Sequence, residues 1–327
     1  MALREPKAVE QRPLRAEERL LGELSDGQVR LRVRACGVCR TDLHIVEGEL
    51  AQRRHAVVPG HQVVGDILES ADPTQRAGTR AGISWIGGVD GTCSYCLSDA
   101  ENLCDSPTFT GYDVDGGYAE YVDARADFVI PLPAALDDLE AAPLLCAGII
   151  GFRALRVAGV RPNERVGLFG FGASAHLALP VLQHWGCEVY VSTRGRSHQE
   201  FARRLGAVWV GDATEPPPHG LHRAITFAPS GDVVIAALGA LRKGGVVAVN
   251  AIHLDRMPQF DYDRLLWGER QIRSVTNMTR ADARDFLQLA STIGLRPQTH
   301  EFPLEQANEA LLAVKHDEIN GAAVLLP

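Results

Sequence analysis

The segment Gly170-Phe-Gly172-Ala-Ser-Ala175 ends one apolar run and opens another of different period, and it constrains the fold more than any other feature of the chain. Before it, Arg165–Gly172 (RVGLFGFG) reads as a buried strand ending in glycines. After it, Ala173–Gly186 places Leu177, Val181 and Trp185 at helical spacing. Glu188–Gly195 is β-branched again, Ser197–Ala207 is amphipathic, and the alternation continues to about Ile252. Repeated strand–helix–strand units predict a parallel sheet covered on both faces, an α/β architecture. Pro180 inside the first helix cannot donate to the carbonyl of His176, so a kink is expected there.

The pattern G-x-G-x-x-A is weak alone but informative between a strand and a helix. Gly170 permits a tight turn, Gly172 lets a pyrophosphate approach the backbone, and Ala175 permits close helix–strand packing. The helix N-terminus adds amide donors and partial positive charge, so a dinucleotide is the expected ligand. For NAD the second strand should end in an acid that bonds the ribose 2′-hydroxyl. It ends instead in Val191-Ser192-Thr193-Arg194-Gly195-Arg196. Arg194 and Arg196 suit a 2′-phosphate, which favours NADP(H) over NAD(H), with Thr193 beside it. The alternative is that both arginines are solvated loop residues.

Residues up to about 150 have a different rhythm. Val29–Cys36, His55–Glu69 and Gly116–Pro133 are strand-rich stretches separated by glycines and turns, which suits a largely antiparallel, partly barrel-like domain. At 327 residues, about two domains are expected. The formal charge of −8 argues against nucleic-acid or anionic-membrane surfaces, which need basic excess. The first 20 residues carry charges where a signal peptide needs an apolar run, and no stretch approaches ~20 uninterrupted apolar residues. A reducing cytoplasm is therefore the expected setting, with cysteines as metal ligands or buried apolar residues.

Three short motifs gather metal-binding residue types. Ala35–His44 (ACGVCRTDLH) holds Cys39, Thr41, Asp42 and His44; Pro59–Gly65 supplies His61; Pro143–Gly148 supplies Cys146. Two cysteines and a histidine can hold a catalytic zinc with an open fourth position. Taken singly, Cys146 reads as a small buried hydrophobe and His61 as a hydrogen-bonded interior residue. A second group, Asp90 to Cys104 (DGTCSYCLSDAENLC), holds Cys93, Cys96 and Cys104, three thiols at zinc-site spacing.

Taken in order, CGVCRTDLH, PGHQVVG, the 90–104 cluster, APLLCAG and the glycine loop resemble the zinc-dependent alcohol dehydrogenases of the medium-chain dehydrogenase/reductase superfamily. The resemblance spans nearly the whole chain. It implies a GroES-like β-rich catalytic domain over residues 1–147, a Rossmann cofactor domain over 148–276 with a cleft between them, and a segment 277–327 returning to the catalytic domain. It implies Cys39, His61 and Cys146 as catalytic zinc ligands, Asp42 as the carboxylate orienting the histidine, and Cys36 as strand-end packing. Thr41 then bonds the substrate hydroxyl, His44 is the outer end of a proton relay, and Arg40 contacts the cofactor pyrophosphate. The implied activity interconverts an alcohol with an aldehyde or ketone in a homodimer or homotetramer, with Trp85 and Ile86 as apolar pocket contributors.

The chain departs from the family in three places. Gln62 stands where a glutamate commonly follows the zinc histidine. Gly321-Ala-Ala-Val324 replaces G-R-x-V. Asp90 replaces the first of four lobe cysteines, and as a carboxylate it can still complete a structural zinc site. Two other readings stay open: a zinc-independent quinone or enoyl reductase on the same scaffold, and a binding protein that has lost turnover.

Overall fold

The computed structural model describes residues 1–212 and 215–327. The chain divides into two compact units, one of residues 1–147, 277–291 and 296–327, the other of residues 148–276 and 292–295.

The first unit is built on a long strand, Gln28–Val38, with two sets of partners. Gln62–Ser70 pairs antiparallel along most of it, Tyr121–Arg125 along its first half, and Ala322–Leu326 along its last residues. Arg80–Ile83 and Ile130–Pro131 extend the sheet on one side and Thr299–Pro303 on the other. The register of Gln62–Ser70 shifts twice against Gln28–Val38, and such shifts bend a sheet towards a barrel. In the His55–Glu69 stretch Val57 makes a single antiparallel bridge with Leu3, and the continuous strand starts at Gln62, after Pro59, which has no N–H, and Gly60, which takes φ +98°. Inward residues Val29, Leu31, Val63, Ile67, Ala81 and Leu325 form one core.

The second unit is a six-stranded, wholly parallel sheet. Its strand order is Trp209–Gly211, Glu188–Ser192, Arg165–Phe169, Leu221–Thr226, Leu241–Val249, Gln271–Ser274. In chain order this is 3-2-1-4-5-6, the doubly wound arrangement whose switch point lies between the first and fourth strands. The glycine loop leaves the first strand at that point. Gly170 takes φ +90°, and a Cβ there would lie 3.0 Å from the Ala228 amide nitrogen beyond the fourth strand. The next helix, Ala173–His184, is continuous through Pro180. Its packing is apolar, with Leu177, Leu179, Val181 and Leu182 all buried, and this outweighs one missing hydrogen bond.

The helical run Asp138–Ala158 has the length and composition of a membrane span, with a mean hydropathy of 1.5. Yet 78% of its most apolar window is buried inside the protein, as a core helix would be.

Candidate active site

The site in the first unit starts at a helix cap. Cys39 has extended backbone and caps the helix Arg40–Glu47. Its N–H donates to Asp42 Oδ2 at 2.8 Å while the Asp42 N–H returns to the Cys39 carbonyl at 3.0 Å. Asp42 is fully buried, and its Oδ1 accepts from His61 Nδ1 at 3.0 Å and from the Gly60 N–H at 3.2 Å. The Tyr118 hydroxyl donates to Oδ2 at 3.2 Å. Four donors thus surround one carboxylate, which satisfies a buried charge. Gly60 is required next to His61, since a Cβ there would lie 2.4 Å from the Tyr118 ring. No motif or spacing in the sequence points to Tyr118.

With Nδ1 bonded to Asp42, His61 turns Nε2 towards the thiols, and this nitrogen is buried with no hydrogen-bond partner among the described residues. Cys39 and Cys146 supply the other ligand atoms, all within 4.8 Å of one another. Cys146 is presented by a single π-helical turn, Leu144–Gly148, anchored where the Ser84 hydroxyl donates to the Leu145 carbonyl. Such turns insert a residue into a helix and frequently mark functional positions. The neighbouring Cys146, and then His61, hold the Cys39 thiol well below its ordinary range despite burial. The same contact and burial push Cys146 well up, so the two sulfurs share a proton. Burial alone would lower the His61 pKa, but Asp42 and Cys39 outweigh it and raise it to about 10. A site that gathers a thiolate and an unpartnered imidazole nitrogen in the interior is electrostatically suited to a divalent cation.

The remaining expected residues fall as follows. Thr41 is buried beside Cys39, with its Oγ1 3.6 Å from Cys39 Sγ. His44 lies one turn further along the same helix and is bonded to Glu49. Gln62 is buried and packs on Gly37, where a Cβ would lie 3.0 Å from its side chain; its Oε1 has no partner among the described residues. Arg40 is turned to the C-terminal segment, donating to the Val314 carbonyl and Asp317 Oδ1. The Trp85 ring meets His61 edge-on at 5.0 Å and stacks on Phe109 at 4.7 Å, with Tyr112 at 6.1 Å. Ile86 packs with Val89, Cys104 and Phe128 under the cysteine lobe, and Trp85 also packs against this cluster.

In that lobe Asp90, Cys93, Cys96 and Cys104 also bring their ligand atoms within 4.8 Å. Asp90 Oδ1 accepts from the N–H groups of Thr92 and Cys93 at 2.7 and 2.8 Å, while the Cys104 thiol reaches Oδ2 at 3.2 Å. The Cys93 and Thr92 amides, with Cys104, hold the Asp90 carboxyl far below its usual range. Burial and the neighbouring Cys93 push Cys96 up to about 12. The lobe is tied down by Glu101, which lies between Cys96 and Cys104 and forms a two-pronged pair with Arg280 at 3.1 and 2.8 Å.

In the second unit, a Cβ on Gly172 would meet nothing within 4 Å, and the helix it precedes has no side-chain cap. The backbone therefore presents free first-turn amides beside open space, as a phosphate requires. Ala175 is fully buried, as close helix–strand packing demands. Thr193 is buried at the end of the strand Glu188–Ser192. Arg194 is exposed, while Arg196 pairs with Glu200 at 2.9 Å.

Residues 25–134 match the alcohol dehydrogenase GroES-like domain. The chain is 44% identical over 331 residues to a Mycobacterium tuberculosis protein named "Probable alcohol dehydrogenase AdhA", covering 99% of this chain and 96% of that one. This chain belongs to the alcohol dehydrogenases of the medium-chain dehydrogenase/reductase superfamily. It is also 34% identical to an alcohol dehydrogenase of Geobacillus stearothermophilus, over 96% of each chain. Among solved structures, a cobalt- and zinc-bound thermostable alcohol dehydrogenase of Pyrobaculum aerophilum superposes with a TM-score of 0.89 at 23% identity, over 100% and 98% of the two chains. A Helicobacter pylori enzyme solved with NADP(H) gives 0.84 at 20% identity over 93% and 91%. Geotrichum candidum acetophenone reductase in complex with NAD gives 0.84 at 23% over 94% and 91%.

Proposed function

We propose that this oxidoreductase interconverts an alcohol and an aldehyde or ketone at a zinc held by Cys39, His61 and Cys146, using NADP(H) in preference to NAD(H). The observation that carries the reading is the orphaned, buried His61 Nε2 facing two thiols while Asp42 holds the opposite ring nitrogen. Ligands at ~2.0–2.3 Å from a tetrahedral ion stand roughly 3.3–3.8 Å apart, within the spread of these three atoms. Asp90, Cys93, Cys96 and Cys104 are proposed to hold a second, structural zinc on the same grounds of donor type and proximity. A Cys₃Asp set is harder than Cys₄ but lies within zinc's ligand range.

Bound zinc supplies Lewis acidity towards an alcohol or carbonyl oxygen, and the nicotinamide supplies hydride transfer. The chain's own residues do the rest. Asp42 fixes the His61 tautomer, so Nε2 is the nitrogen left for a metal. Thr41 Oγ1 is the nearest hydroxyl to Cys39 and can take or give a substrate proton. His44, three residues on and therefore on the same helical face, can pass that proton outward. Trp85 with Phe109 and Tyr112 forms a flat apolar wall beside His61, which favours uncharged substrates over carboxylic acids. In the second unit Gly172 and the first-turn amides accommodate pyrophosphate, and Arg194 has its guanidinium free for a 2′-phosphate. The Asp317 pairing of Arg40 makes its cofactor contact conditional on exchanging that partner.

Metal analysis with initial rates tests the reading. About two zincs per chain and faster aldehyde or ketone reduction with NADPH than with NADH are expected. Metal-free protein that turns over neither cofactor with any alcohol, aldehyde or ketone would overturn it.

A further inference from the structure

The helix Arg40–Glu47 closes on Gly48, which takes φ +78° and donates its N–H to the Ile45 carbonyl at 3.2 Å. The chain then reverses, and the Leu50 N–H returns to the carbonyl of His44 itself at 3.2 Å. A Cβ on Gly48 would be strained at that φ and would lie 3.0 Å from Pro6 Cβ, so glycine is needed to make the reversal. Its consequence is that Glu49 is delivered back over the last helical turn. Glu49 Oε2 stands 2.5 Å from His44 Nδ1. The other two carboxylates on this segment are engaged elsewhere: Asp42 holds His61, and Glu47 holds Lys315 and the Val9 N–H. Among the described residues, Glu49 is the carboxylate recorded on His44.

We propose that Glu49 is a positioning residue for proton transfer: it keeps the His44 proton on Nδ1 and so leaves Nε2 as the ring's proton acceptor. This deepens the dehydrogenase reading and rests on it for the direction of proton flow from Thr41. In alcohol oxidation one proton leaves the substrate side and bonds to Nε2, giving an imidazolium whose charge the Glu49 carboxylate offsets. The Nε2 proton then passes to water, which restores the starting Nδ1–H tautomer. Carbonyl reduction runs the same transfers backwards. A carboxylate on one imidazole nitrogen sets both tautomer and ring orientation, as in hydrolase triads. Exposed ion pairs add little stability, and Glu49 is about half exposed (55% of its side chain), so its effect falls on proton transfer rather than on folding.

The test uses full-length, metal-loaded protein labelled with ¹⁵N-histidine, comparing wild type with Glu49→Gln. Without substrate, the His44 ring should be protonated at Nδ1 in wild type and shift towards the Nε2–H form in Glu49→Gln. In alcohol oxidation, kcat should fall about tenfold, a small part of the ~10²–10⁴ a general base contributes. KM for the alcohol and Tm should be unchanged, and added imidazole should restore the lost rate. An unchanged tautomer, or an unchanged kcat, overturns the proposal. The tautomer is read without turnover, so a wild-type protein inactive with every alcohol would sink the dehydrogenase reading separately.

Discussion

Asp42 Oδ1 stands 3.0 Å from His61 Nδ1 with both side chains fully buried, and this bond decides which imidazole nitrogen faces Cys39 and Cys146. Asp42 also holds the Cys39 and Gly60 amides, so one carboxylate organises two of the three proposed ligands. Asp42→Asn keeps the volume but places an amide N–H₂ against donors. Zinc affinity at this site should fall about 10–100-fold. Urea unfolding of the metal-free protein should show a loss of about 2–4 kcal/mol. Unchanged metal retention on dialysis against a chelator would contradict this role.

Gly170 and Gly172 lie two residues apart but should respond differently. Gly172→Ala meets no atom within 4 Å and no positive φ, so Tm should move by less than about 2 °C. The new methyl group occupies the space offered to pyrophosphate, and cofactor KM should rise at least about tenfold. Gly170→Ala adds a side chain at φ +90° against Ala228, and should cost about 1–3 kcal/mol whether or not cofactor is present. Equal effects of the two substitutions on Tm would contradict the distinction.

Arg194 and Arg196 are similarly separable. Arg196 already has Glu200, whereas Arg194 is exposed and has no side-chain partner among the described residues. Arg194→Ala should raise KM for NADPH about tenfold and leave NADH nearly unchanged, while Arg196→Ala has a smaller effect on either. Parallel initial-rate measurements with both cofactors decide it.

Asp90→Ala removes one of four lobe ligands and also the acceptor of two loop amides. Zinc content should fall from about two to about one per chain, with a clear loss of Tm, because metal binding here contributes folding free energy. Asp90→Cys should keep two. A wild-type content near one would show instead a lobe without metal.

Burial alone would raise the Glu101 carboxyl, but its bonds to Arg280 outweigh burial and hold it below the ordinary value. A depressed folded-state pKa gives stability that is present above about pH 4.3 and is lost as pH falls through the lower folded value. Glu101→Gln should therefore cost about 1–3 kcal/mol at pH 7 and progressively less towards pH 3. Parallel stability curves across that range would contradict it.

The sequence alone determined the parallel unit, because its periods and glycines are local: Gly170, Gly172 and Ala175 can be placed on a strand, turn and helix from neighbours within 20 residues. Its ordered motifs also carry the family resemblance that implies Cys39, His61 and Cys146 as ligands, which none of the three indicates when taken singly. The helix around Pro180 persists because the buried leucines beside it supply tertiary packing that no local propensity records. Tyr118 on Asp42, Glu101 on Arg280, Arg40 on Asp317 and the Trp85–Phe109 stack join residues 24 to 277 positions apart or lie on irregular loops. No periodicity encodes such pairs. They exist because the antiparallel sheet of the first unit brings distant segments side by side, and only that packing decides which nitrogen of His61 is left to face the thiols.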